Sequence, residues 1–311
     1  MKTSDLGNAN IGVLIICLMI FNFFSCLTSK KAVPLTQKNN KIDTLAILEA
    51  IEKLDTANVP RYIIRINVHF FGSANGNFYR GEREDLTVHN GVSYAHRFVN
   101  HANWVMSDLK ESPLSPANFL GHSRIHYTLY TNNHPLDTFG GIWFSDTWNE
   151  SKRYYQDSVL HISFMDTGEP GDFHISGYAC GLTFCNDLTL LDAYDNAKNN
   201  GPFGWWAFAG SLNHEFGHIL GLCHSFYCDN ECNGIDIDVN KECRINPCHN
   251  SCGGPHGGRC DNWPSGSRNI MGYNADGTAL TPCQWKRIMK NLLYTNALYV
   301  EKIWPTQTRL D

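Results

Sequence analysis

Apolar Ile64, Ile66, Val68 and Phe70 alternate with Arg65, Asn67 and His69. Strand side chains point to opposite faces in turn, so this period of two predicts a half-buried strand. Gly72 to Gly76 breaks it. The period then lengthens: Val92, Ala95, Val99, Ala102, Val105 and Leu109 recur at helical spacing and predict a helix from Val92 to Lys110. Ile125, Tyr127 and Leu129 predict a second strand, and Val159 to Met165 a third, more fully buried one. Gly177 to Leu182 is a short extended piece, Leu188 to Leu191 a further strand, and the aromatic run Gly204-Trp205-Trp206-Ala207-Phe208 leads into a long helix. Later, Thr281, Pro282 and Gln284 stand as N-cap, N1 and N3 of a helix with Trp285, Ile288, Met289, Leu292 and Leu293 on one side, ending near Leu298. This order describes an α+β protein: a mixed twisted sheet with helices on one side and no internal repeat.

The N-terminal region has a different texture. Ile11 to Phe24 is apolar apart from Asn22, short for a membrane span and the right length for a signal-peptide core. It ends at Phe24-Ser25-Cys26, which resembles a bacterial lipoprotein signal with Cys26 as the lipid-bearing residue. Residues 1–26 therefore read as an export signal, so the mature chain is secreted or held at the surface. Residues 27–60 are polar, with Lys30, Lys31, Lys38 and Lys41, followed by a helical patch from Leu45 to Leu54. They read as a tether, a short pro-segment or an N-terminal helix.

The chemistry concentrates in His214-Glu215-Phe216-Gly217-His218-Ile219-Leu220-Gly221-Leu222-Cys223-His224, a pattern HExxHxxGxxH. His214 and His218 are four residues apart, so a helix stacks both imidazoles on one face within reach of one ion. Gly221 allows the backbone to leave the helix with positive φ and bring back His224 as a third ligand. Three protein nitrogens and an open fourth position make a catalytic zinc site rather than a closed structural one. Glu215, one position round the helix, is placed to touch a water on that ion and act as general base.

Composition narrows the partners. A net charge of −5 gives no basic excess for nucleic acid. Of the 12 cysteines, Cys17 and Cys26 fall in the signal; the rest are Cys180, Cys185, Cys223, Cys228, Cys232, Cys243, Cys248, Cys252, Cys260 and Cys283. In an exported chain these read as disulfides. Cys223, beside His224, is expected in a disulfide, with Cys283 as its candidate partner. Residues 226–268 are rich in Cys, Gly and Asn, lack hydrophobic periodicity and must be stapled to hold a shape. The Cys228/Cys232 and Cys248/Cys252 spacings with His249 and His256 offer a second, structural zinc as the alternative to disulfides. Asp236, Asp238 and Glu242 are candidates for Ca²⁺, but they lack the closing Glu of a calcium loop and read as solvated.

HExxHxxGxxH followed by Asn269-Ile270-Met271-Gly272-Tyr273 resembles the metzincin clan of zinc metallopeptidases, whose Met-turn lies some tens of residues after the third His. The strand ending at Val68-His69, the Gly177-Tyr178-Ala179 piece and the Leu280 to Gln284 run resemble the pappalysin-like (M43, cytophagalysin) branch. The Cys-rich loop departs from that branch. The resemblance implies a metzincin-like catalytic domain over 61–311: an upper subdomain to about residue 224 and a small Cys-rich lower one over 225–311, with the cleft between them. It also implies Met271 as a floor beneath the ligands and Tyr273 as a donor to the reaction oxyanion. The expected activity is zinc-dependent endopeptidase cleavage of extracellular proteins, by a monomer with one catalytic Zn²⁺. Substrate would lie along an edge strand at Tyr178, Ala179, Cys180, Gly181 and Leu182. The membrane enters only through a lipid at Cys26. Two other readings keep the same motif: a non-catalytic surface adhesion protein, and a zinc hydrolase of non-peptide amides.

Overall fold

The computed structural model describes residues 43–71, 90–111, 120–131, 134–137, 139–145, 147–165, 177–181, 184–191, 205–222, 269–272 and 277–305. The signal, Cys26, the Cys-rich stretch 226–268 with its calcium and second-zinc candidates, His224, Cys223, Tyr273 and Leu182 lie outside these residues. All described residues fall in one compact unit, Thr36–Asp311. No helix among them is long and apolar enough to cross a membrane.

β1 (Arg61–Phe71) is the spine of a seven-stranded mixed sheet. Its first half pairs in parallel with β2 (Ile125–Leu129) on one edge and antiparallel with β7 (Val300–Ile303) on the other. Its second half pairs in parallel with β3 (Ile142–Ser145) on the β2 side and β4 (Leu160–Met165) on the β7 side. From β4 the sheet continues through parallel β6 (Asp187–Leu191) to antiparallel β5 (Gly177–Ala179), its outer edge. One face packs against α2 (Asn90–Ser107) and α4 (Trp205–Ile219). There Phe70 stacks between Phe144 and Phe164, at 5.2 and 5.0 Å between ring centroids, and Phe164 meets Phe98 of α2 edge-on at 5.1 Å. Tyr127 of β2 meets Phe216 of α4 edge-on at 5.5 Å, which ties the metal-motif helix to the sheet.

Three expectations change and one is narrowed. The alternation in β1 predicts a solvated second face, yet Asn67 and His69 are buried. The cover comes from α3 (Trp148–Lys152) and the turn after it, which follow β3. Neither β3 nor α3 is predicted above, because four and five residues are too few to show a period. The Leu45 to Leu54 patch forms α1 (Thr44–Glu52), capped by Asp43, and buries Ile47, Ala50 and Ile51 in the main core. The N-terminal helix offered for this patch is thus what forms, and it belongs to the main core. The last helix, α5 (Pro282–Tyr294), has the full Thr281/Gln284 capping box but stops four residues before Leu298. The chain there turns into β7, and Lys302 Nζ donates to the carbonyls of Leu293 and Thr295 at 2.8 and 2.9 Å, closing the helix end. β7 thereby joins the upper sheet, although the sequence assigns all of 225–311 to the lower subdomain.

The buried second face holds a chain of hydrogen bonds. His161 Nε2 lies 2.9 Å from the Gln156 amide nitrogen and 3.2 Å from the Gln156 carbonyl oxygen. His161 Nδ1 bonds His69 Nε2 at 2.9 Å, and His69 Nδ1 bonds Ser151 Oγ at 2.7 Å. Tyr155 stacks on His161 at 3.9 Å. Burial holds His69 well below the ordinary imidazole range and His161 at about 4. Both are therefore neutral in the fold, while in the unfolded chain they gain protons below about pH 6.5. Between those values the unfolded state binds more protons, so stability falls as pH falls, by up to about 1.4 kcal/mol per unit for each histidine. Urea unfolding at pH 7 and pH 5 should show this loss, with a smaller pH dependence in His161→Asn, which keeps a hydrogen-bonding side chain beside His69 but does not titrate. An equal dependence in the variant would contradict the assignment.

Candidate active site

The site is built on the last turns of α4 and the short turn 269–272. His214 and His218 project from one face of the helix, their rings edge-on at 87° with centroids 4.9 Å apart. His214 Nδ1 donates to the Ile270 carbonyl at 2.8 Å, and His218 Nδ1 donates to the Leu222 carbonyl at 2.8 Å. A carbonyl can only accept, so both protons sit on Nδ1 and Nε2 is the unprotonated nitrogen of each ring. Such second bonds orient metal-binding imidazoles. Burial, with His218 nearby, lowers His214 to about 3, and burial also lowers His218. Two neutral imidazoles on one helix face suit a zinc ion. With His224 outside the described residues, no group of three or more metal-ligating side chains is seen among those described.

The helix end does two jobs. Gly221 has φ +84°, its N–H bonds the His218 carbonyl at 2.8 Å, and the Leu222 N–H bonds the Gly217 carbonyl at 2.9 Å. This pair of bonds is a Schellman motif, which needs the left-handed residue that glycine supplies. It ends the helix where the sequence expects the turn toward His224. It also presents the Leu222 carbonyl that orients His218.

Glu215 is 6% exposed, and burial raises its carboxyl to about 8, opposed by a hydrogen bond from the Ala179 backbone. A cation bound beside it would favour the carboxylate and pull the value down. The Ala179 contact joins α4 to β5. β5 is stapled just beyond Ala179 by the Cys180–Cys185 disulfide, and Tyr178 is half exposed on it.

Met271 is fully buried under α4. A Cβ placed on Gly217 would lie 2.4 Å from its sulfur, so the missing side chain between the two histidines lets Met271 approach. The Ile270 N–H bonds the Ala279 carbonyl at 2.8 Å and the Gly272 N–H bonds the Asn269 carbonyl at 2.9 Å, which fixes the turn. The structure thus brings together His214, Glu215, His218 and Met271, with Ala179 of β5 bonded to Glu215; Tyr178 lies on β5, and Cys180 and Gly181 follow it. Cys283 is in a disulfide, as expected; since Cys180 and Cys185 bond each other, its partner lies outside the described residues. The sequence reading missed Gly217 and the carbonyls of Ile270 and Leu222. A glycine inside a helix costs about 1 kcal/mol relative to alanine, which is itself a signal of close approach. The carbonyls carry no side-chain signal.

Residues 197–293 match the family model Peptidase_M43, described as pregnancy-associated plasma protein-A. The match spans the zinc motif, the turn with Met271 and most of α5. Over that stretch it bears out the resemblance to the pappalysin-like metallopeptidases. Among solved structures, a mirolysin in complex with compound 9 aligns with 73% of this chain and 89% of its own, at 17% identity and a TM-score of 0.39. A Tannerella forsythia promirolysin mutant aligns with 82% of this chain and 89% of its own, at 16% identity and a TM-score of 0.40. No curated protein matches the chain.

The Gly217–Met271 contact is testable. Gly217→Ala should destabilise by about 1–3 kcal/mol through overpacking, read by urea unfolding. Adding Met271→Ala should make the Gly217→Ala step far less costly, because the clashing sulfur is gone. Equal cost in both backgrounds would show that the contact does not set the glycine.

Proposed function

We propose that the chain is a zinc-dependent endopeptidase that cleaves peptide bonds of extracellular proteins. The observation that carries this is the His214/His218 pair, each with Nδ1 donating to a backbone carbonyl and Nε2 unprotonated, beside buried Glu215. His224 is the third ligand in this reading. Zinc bound there would supply a Lewis acid that polarises the scissile carbonyl and makes a bound water acidic near neutral pH.

The remaining steps belong to the protein's own groups. The Glu215 carboxylate takes the proton of the attacking water and then passes it to the leaving amine. Tyr273 donates to the oxyanion of the tetrahedral intermediate. The outer edge of β5, from Tyr178 to Leu182, pairs with the substrate backbone in extended form; β5 has β6 as its paired neighbour among the described residues, which supports this placement. Residues 1–26 direct export, Cys26 carries lipid where the protein is anchored, and the chain works as a monomer on protein or peptide substrates.

The direct test is proteolysis of casein or gelatin by the purified chain, with and without a chelator. Wild type should cleave, chelation should abolish cleavage, and readdition of zinc should restore it. Glu215→Gln should lower kcat by about 10²–10⁴, the usual contribution of a general base. Cleavage unaffected by chelator, or by loss of Glu215, would overturn the proposal.

A further inference from the structure

Behind the turn that carries Met271 lies a closed pair of side-chain amides. Asn269 Nδ2 donates to Gln284 Oε1 at 2.8 Å, and Gln284 Nε2 donates back to Asn269 Oδ1 at 3.1 Å. Asn269 is 4% exposed and Gln284 3%. Two backbone donors fix the orientation of both amides. The Met271 N–H donates to Asn269 Oδ1 at 2.9 Å, and the Thr281 N–H donates to Gln284 Oε1 at 3.0 Å. A backbone N–H can only donate, so both oxygens must face those amides, and each NH₂ group is left to bind the other oxygen. Flipping either side chain would break the ring and face a donor with a donor.

The ring is more than a helix cap. The capping box of α5 needs only Thr281 and Gln284. Asn269 extends it to the turn, holding the N–H of Met271 while its own carbonyl takes the Gly272 N–H. Between Asn269 and Met271 sits Ile270, whose carbonyl receives Nδ1–H of His214. Hydrogen bonds therefore run from the first turn of α5 through Gln284 and Asn269 to the Met271 N–H, which shares one peptide group with the carbonyl that sets the His214 ring.

We infer that Asn269 and Gln284 are positioning residues for His214: their reciprocal amide pair holds the Ile270 carbonyl in register with the imidazole and so keeps Nε2 aimed at the metal position. This rests on the proposed zinc site, but the amide pair and the bond between His214 and the Ile270 carbonyl stand without a metal. Neither carboxylate isostere can replace its amide. Asp at 269 or Glu at 284 would set an oxygen against an oxygen at the distance of the present hydrogen bonds, and buried lone pairs would face each other.

The test compares Gln284→Leu and Asn269→Asp with wild type in two measurements. The first is the imidazole N–H resonance of His214 in the zinc-free protein, assigned by its loss in His214→Gln. The second is zinc affinity by chelator competition. The expected result is a shifted or exchange-broadened His214 N–H signal in both variants, with zinc bound about 10–100-fold more weakly, the usual cost of losing a partner behind a metal ligand. Where Gln284→Leu does not fold, Asn269→Asp alone decides, since it keeps the capping box and the acceptor for Met271. A lower unfolding midpoint with an unchanged His214 signal and unchanged zinc affinity would overturn the inference and leave the pair a structural cap. If wild type binds no zinc while the variants still move the His214 signal, the zinc site fails and the positioning role survives. If wild type binds no zinc and the signal does not move, both fail.

Discussion

The arrangement depends on two hydrogen bonds that contain no metal: Nδ1–H of His214 to the Ile270 carbonyl and Nδ1–H of His218 to the Leu222 carbonyl. Each settles a tautomer, and each comes from backbone beyond the helix that carries the histidine. The Leu222 carbonyl is supplied by the Schellman turn at Gly221, local to the helix end. The Ile270 carbonyl is 56 residues away in sequence. The site is therefore complete only when the turn 269–272 docks against α4. That docking needs the gap at Gly217 that admits Met271. Ligand geometry, helix termination and the packing of one methionine are parts of one constraint.

The sheet supplies the rest of the frame. β1 is paired along both edges and contacts four other strands, so it is the frame of the sheet. Aromatic contacts from Phe70 through Phe164 to Phe98, and from Tyr127 to Phe216, tie that frame to α2 and α4. On the outer side β5 meets α4 through Ala179 and Glu215, so the acidic side chain of the site leans on the strand beside which an extended peptide could lie. The buried His69–His161 chain lies on the other part of the sheet's polar face, around β1 and β4. It satisfies polar atoms on a sheet face that a short helix covers, and a buried imidazole without such partners would cost several times more.

Much of this was legible in the sequence, and the reasons are specific. The spacing of His214, Glu215 and His218 encodes a helical face directly, and Gly221 encodes its end. Thr281, Pro282 and Gln284 encode a helix start whose cap appears as expected. The Gly177 piece reads as a short extended segment, and it forms β5 at one end of the sheet order. What stayed hidden depends on tertiary contact. β3 and α3 are too short to show a period, and without them Asn67 and His69 look solvated. β7 pairs with β1 across more than 230 residues, and its sequence Val-Glu-Lys-Ile alternates too briefly to announce a strand. The carbonyls of Ile270 and Leu222 belong to groups that every residue has. Gln284 was legible as a helix cap, but its second role requires Asn269 at its side.

The central claim is that this chain holds one catalytic zinc through imidazole nitrogens set by backbone carbonyls. Zinc X-ray absorption on the natively purified protein tests it most directly. One zinc per chain is expected, with three imidazole nitrogens at about 2.0–2.1 Å and one oxygen ligand. Absence of zinc, or a shell dominated by thiolate sulfur at about 2.3 Å that survives replacement of His214 and His218, would contradict it.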